Sequence, residues 1–218
     1  MQITYYLEVT SSWCFWAEPM WAELKRRYAG RAEFGWKIAK MGVADFPANN
    51  AQYDWFLRRS AAVMQSDFVP TSAYYEFPIP GGYPAASAVA EAARELGATG
   101  DGVRCALSHA AYREGRRVGR LDVAVEIAAH AGGLDAARLH ALARSPGVAA
   151  RLEQGTAEFN ALQVTQRPAF VLEDAIGDKA VFSGLVRLEP LAATIDAMLA
   201  DTAAYAAFRV REGGAPPG

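Results

Sequence analysis

The chain has 218 residues, 52% of them hydrophobic and 21% charged, with a formal net charge of −2. That length and composition suit one globular domain, or one domain carrying a large insertion. The near-neutral balance gives no electrostatic case for nucleic acid, and there is no apolar run of the roughly 18 residues that a membrane span needs. In chain order, residues 3–9 (ITYYLEV) are β-branched and aromatic and predict a buried strand. After Thr10-Ser11-Ser12, apolar residues at steps of three and four predict a helix over 13–28, with Pro19 inside it and Gly30 ending it. A second strand is expected over 33–38, completing a unit of βαβ length.

From about 50 to 162 the apolar spacing is helical throughout. Helices are expected near 50–65, 84–96, 101–114, 121–131, 134–144 and 146–162, with an aromatic-rich loop over 66–83. Short strands return at 169–172 and 180–182 around a turn at Gly177-Asp178, followed by a helix over 188–201. The order βαβ, helical block, ββα divides the chain into residues 1–45 with 161–204, an inserted helical domain 46–160, and a tail 205–218 whose Gly-Gly-Ala-Pro-Pro-Gly end is expected to lack structure. The N-terminus lacks the basic start and apolar core of a secretory signal, so a cytoplasmic protein with reduced thiols is expected if the source is bacterial. Two isolated cysteines and three scattered histidines give no zinc-like spacing, so no metal is expected.

Three segments carry a resemblance. Glu8-Val9-Thr10-Ser11-Ser12-Trp13-Cys14 resembles the active-site turn of the DsbA-like thioredoxin-fold superfamily, whose oxidoreductases carry Asp-x-x-Cys-Pro-Trp-Cys there. In that register Ser11 stands for the first Cys, Cys14 for the second, and Pro19 falls five residues after Cys14 as in thioredoxin-like helices. Gln166-Arg167-Pro168-Ala169-Phe170-Val171 resembles the segment with the cis proline, and Gly184-Leu185-Val186-Arg187-Leu188 resembles the Gly-x-x-Arg-Leu turn before the last helix. The fold implied is α/β, a thioredoxin-like fold with a large all-helical insertion. Ser at the first position is similar to the kappa-class glutathione transferases and the 2-hydroxychromene-2-carboxylate isomerases.

The resemblance implies that Ser11 activates the thiol of bound glutathione. It also implies that Ser12, Trp13, Arg167 and Pro168 hold that cofactor, the last two through the peptide before the cis proline. A hydroxyl at a helix N-terminus, with free N–H groups and the positive end of the dipole, is a physical means of stabilising a thiolate. Lys37 at the end of the second strand, and Tyr53, Trp55 and Phe56 with Arg58 and Arg59 on the first inserted helix, Trp55 and Arg58 foremost, are candidates for binding a flat, hydrophobic or anionic small-molecule substrate. Relatives of this type are commonly dimers, so a homodimer is compatible. Two alternatives stand beside a glutathione-dependent transferase or isomerase. One is a monothiol DsbA-like oxidoreductase using Cys14; the other is a binding protein that keeps the cleft without the chemistry. Dithiol exchange needs a second thiol to resolve the mixed disulfide, and Cys105 is not an evident partner. The chain departs from the kappa-class pattern at Leu185 and Val186, where Ser-Asp holds the γ-glutamyl end; two apolar side chains have no donor or acceptor for it.

Overall fold

The structure is a computed structural model and describes residues 1–184 and 187–212, so Leu185, Val186 and the Gly-Gly-Ala-Pro-Pro-Gly end lie outside the described residues. Four strands form one mixed sheet in the order β2-β1-β3-β4. The central strand β1 (Gln2–Leu7) pairs in parallel with β2 (Glu33–Ile38) and antiparallel with β3 (Ala169–Glu173), which in turn pairs antiparallel with β4 (Lys179–Ser183). Side chains alternate across the pleat. Ile3, Tyr5 and Leu7 of β1 therefore join one core cluster, and Tyr6 joins the other.

Helix α1 (Ser12–Arg27) crosses from β1 to β2 and covers the first face with α8 (Leu188–Glu212). The Trp21 ring lies 5.1 Å from that of Tyr5, and the buried Tyr28 hydroxyl donates to the Ala192 carbonyl of α8 at 2.9 Å. The second face is covered by α7 (Pro146–Ala161), whose Phe159 packs with Tyr6, Ala169 and Val171. Between β2 and α7 lie α2 (Asn50–Met64), α3 (Ala85–Glu95), α4 (Gly102–Tyr112), α5 (Leu121–Gly132) and α6 (Ala136–Ala143), each within two residues of the predicted span. No helix among the described residues is long and apolar enough to cross a membrane.

Two boundaries differ from expectation. β1 stops at Leu7 rather than at residue 9, because the Ser11 N–H turns back to the Glu8 carbonyl at 3.0 Å and closes a turn. The last helix runs to Glu212 rather than to residue 201, so residues 205–212, expected in the tail, are helical. Four alanines between 203 and 207 carry high helix propensity and extend α8 past its buried residues Leu191, Ala192, Ile195 and Met198.

The topology places the site. β1 and β2 are parallel, so residues 8–12 and 39–47 leave the sheet at the same end. β3 is antiparallel and starts at Ala169 opposite Tyr6, so residues 165–168 arrive at that end too.

Candidate functional site

Ser11 is the N-cap of α1. Its backbone is extended (φ −91°, ψ 123°), its Oγ accepts the Cys14 N–H at 3.4 Å, and the same hydroxyl lies within hydrogen-bonding reach of the Cys14 thiol. Arg167–Pro168 is a cis peptide. Ser11 and Arg167 line one cavity of about 240 Å³ where the strand ends converge, and Pro168 is buried behind it. Ser12 and Trp13 add to the α1 side of this cavity, and Thr165 and Gln166 to the side before β3. Met41, Asp45, Phe46 and Pro47 form the wall after β2, and Tyr53, Phe56 and Arg59 of α2 form the roof.

The turn before Ser11 is held at both ends. The fully buried Glu8 carboxylate accepts from Ser87 Oγ at 2.5 Å, from the Tyr83 hydroxyl, and from the Thr10 N–H and hydroxyl at 3.4 and 3.3 Å. Burial raises its pKa, and those hydrogen bonds together with the Arg167 charge oppose the rise. On the other side, the Thr10 carbonyl is met by three tyrosine hydroxyls of the inserted region. Tyr112 donates to it at 2.5 Å, with Tyr53 at 3.4 Å and Tyr74 at 3.3 Å. Tyr53 also bonds Tyr112 at 2.7 Å and bonds Tyr74 directly. Three separate segments of the insertion thus converge on the peptide that delivers Ser11 to the helix start.

Neither thiol is poised to react. Cys14 is 2% exposed, and burial pushes its pKa up to about 11 despite the hydrogen bond with Ser11. Cys105, on α4, donates to Glu18 at 3.4 Å, and burial with the Glu18 charge pushes it up to about 12.

Of the residues singled out in the sequence, Ser11, Ser12, Trp13 and Arg167 share the cavity wall. The Arg167 guanidinium itself is engaged, donating to the Ala39 carbonyl at 2.6 Å and the Lys40 carbonyl at 2.5 Å while lying 4.4 Å from the centre of the Phe159 ring. Lys37, Trp55 and Arg58 do not line the cavity. Lys37 follows Trp36 in the pleat, so it points to the α7 face, where its Nζ pairs with Glu158 at 2.5 Å. Trp55 and Arg58 are exposed on α2. At 100° per residue Arg58 lies about 160° around the helix from Phe56, whereas Arg59 lies about 60° from it. Of the two adjacent arginines of α2 it is therefore Arg59 that lines the cavity. Asp45, Phe46 and Pro47 lie on a connection with no periodic signal, and Glu8 gives none beyond its place before the motif. Among the described residues, no group of three or more His, Cys, Asp or Glu could hold a metal ion.

A βαβ unit and a ββ hairpin closing one sheet around a helix start and a cis proline define a thioredoxin-fold protein. The chain belongs to the DSBA-like thioredoxin domain family, which matches residues 2–196. Solved structures agree on the fold. A provisionally named protein disulfide isomerase from Nitrosomonas europaea matches 92% of this chain and 98% of its own, with TM-score 0.75 and 16% identity. The cytosolic disulfide reductase DsbM from Pseudomonas aeruginosa, also solved with GSH, is similar over 91% of this chain, with TM-score 0.68 and 20% identity. For DsbM alone the match covers 98% of its own chain. A 2-hydroxychromene-2-carboxylate isomerase is similar over 94% of this chain and 99% of its own, with TM-score 0.66 and 14% identity. No curated protein matches this chain.

Proposed function

We propose that the cleft binds a small thiol compound of the glutathione class, and that Ser11 polarises its sulfur for reaction with an apolar, aromatic electrophile in a transfer or isomerisation. The observation that carries this reading is the placement of Ser11: an N-cap hydroxyl on the wall of a cavity shared with Arg167. A thiol compound would supply the nucleophilic sulfur. The protein's own part is to offer donors to that sulfur. The Ser11 hydroxyl and the first-turn N–H groups of α1, which have no partner within the helix, stabilise negative charge at its N-terminus. The peptide before Pro168 would pair with the backbone of the ligand, and Phe56 and Tyr53 would cover the electrophile. The DsbM structure with GSH supports a thiol ligand on this fold.

The chemistry suits a reducing compartment, because the ligand must arrive as a free thiol. A monothiol exchange reaction through Cys14 is opposed by its burial and its raised pKa. Ser11→Ala tests the reading. With millimolar glutathione and a chloronitrobenzene electrophile, turnover should fall at least about a hundredfold. Stability should change by no more than about 1–2 kcal/mol, the size of a lost cap. Unchanged turnover would reduce Ser11 to a helix cap, and failure of glutathione to raise the melting temperature would remove the ligand itself.

A further inference from the structure

The cleft carries two charged side chains that the proposed role of Ser11 does not use. Arg59 of α2 and Asp45 of the short turn Val43–Asp45 both line the cavity, from the roof and from the wall after β2. Both are exposed. Among the described residues Arg59 has no ion-pair partner; its guanidinium lies 5.2 to 5.9 Å from the ring centres of Phe56, Trp55 and Trp13. Aromatic faces hold a guanidinium in place without occupying its N–H donors, so the five donors remain available at the cavity. Asp45 accepts the Gly42 N–H at 2.8 Å through Oδ2 alone, which leaves Oδ1 open. The other arginine of the cleft, Arg167, has its guanidinium bound to the Ala39 and Lys40 carbonyls.

We infer that Arg59 and Asp45 form a recognition site for the zwitterionic amino-acid end of the ligand, Arg59 taking its carboxylate and Asp45 its ammonium. This rests on the reading of the cleft as a small-thiol site. Planar pairing of a guanidinium with a carboxylate is bidentate and strong, and an ammonium needs an acceptor of opposite charge. The size of the cavity agrees. About 240 Å³ is below the roughly 300–1,000 Å³ of pockets that enclose a whole ligand. Only the reacting part is enclosed, and the charged end stays at the rim, where Arg59 and Asp45 are exposed and full desolvation is not required. The site also supplies charges of the kind that Leu185 and Val186 lack as side chains.

Calorimetric titration with S-methylglutathione, which keeps both charges and lacks the thiol, tests the site apart from the chemistry. The expected result is binding to the full chain that Arg59→Gln weakens at least about tenfold, that Arg59→Lys weakens less, and that Arg58→Gln changes by no more than about twofold. Asp45→Asn keeps the acceptor for Gly42. It should weaken S-methylglutathione but leave 3-mercaptopropionate, which has no ammonium, unchanged. The inference is overturned if S-methylglutathione fails to bind at millimolar concentration, if Arg59→Gln and Arg58→Gln weaken it equally, or if Asp45→Asn affects both probes alike. Binding that depends on Arg59 and Asp45, with no turnover of glutathione and no effect of Ser11→Ala, would uphold this site and sink the thiol-enzyme reading.

Discussion

At positions 11 and 14 the chain carries Ser and Cys where the dithiol motif it resembles carries two cysteines. The position that would attack is a hydroxyl facing a cavity, and the position that would resolve is a thiol sealed under the helix. A thiolate is the reactive form, and burial disfavours charge, so Cys14 stays protonated until pH approaches about 11. Raising the pH from 7 toward that value moves the thiol toward its reactive form, so any reactivity must rise with pH. At pH 7.5 iodoacetamide should leave Cys14 of the native protein unmodified and should alkylate it once urea has unfolded the chain. Rapid modification of the native protein, read by mass spectrometry, would show that Cys14 is accessible and would reopen exchange chemistry. The Ser-Ser-Trp-Cys spelling could be read directly, because the register needs only a motif and Pro19. The hydroxyl's place on the cavity wall could not, because it depends on how the strand ends converge.

Helices and strands were legible to within a few residues because apolar periodicity and punctuation agree along most of the chain. Gly-Gly at 132–133 and Pro146 mark breaks that the structure places at the end of α5 and the start of α7. α8 runs past residue 201 because the alanine-rich residues there carry helix propensity without a buried face, so no apolar periodicity marks its end. The roles of α2 and α7 depend on rotation, which a span alone does not give. In α2 one residue of phase separates Arg58, exposed away from the cavity, from Arg59 on its rim. In α7, Gly155 faces the Ile38 carbonyl at the end of β2, where an added Cβ would collide with that backbone oxygen. Gly155→Ala should therefore push α7 from the sheet and lower stability by about 1–3 kcal/mol, against the gain in helix propensity that alanine brings elsewhere. Urea denaturation checks this. A stabilised variant would mean that α7 does not approach β2 so closely.

The larger of the two buried clusters joins the sheet to the inserted helices. The large buried cluster takes in Ile3 and Leu7 of the sheet, Trp21 of α1, Leu107 of α4, Leu139 of α6 and Val148 of α7 without a break. Arg104, 2% exposed, adds a polar tie: it pairs with Glu18 of α1 directly and with Asp101 at 2.7 Å, and Asp101 in turn pairs with Lys25 of α1 at 2.5 Å. The sheet and the inserted helices should therefore unfold together. Far-ultraviolet dichroism and tryptophan fluorescence should report one coincident transition in the wild type. In Arg104→Met that transition should stay single and lose about 3 kcal/mol, because the half-buried Glu18 and Asp101 are left without the cation they share. Two separated transitions would show that the insertion is an independent unit.

Residue order alone was enough for the elements and their βαβ, helical block, ββα order, because periodicity and turn chemistry are local properties, and the Ser11-for-Cys replacement followed from the resemblance of the motif. The cavity, the convergence of Tyr53, Tyr74 and Tyr112 on Thr10, the withdrawal of Lys37 to the far face and the selection of Arg59 came only with the folded chain. They depend on strand direction, helix rotation and contacts between segments far apart in sequence, and those are settled by packing.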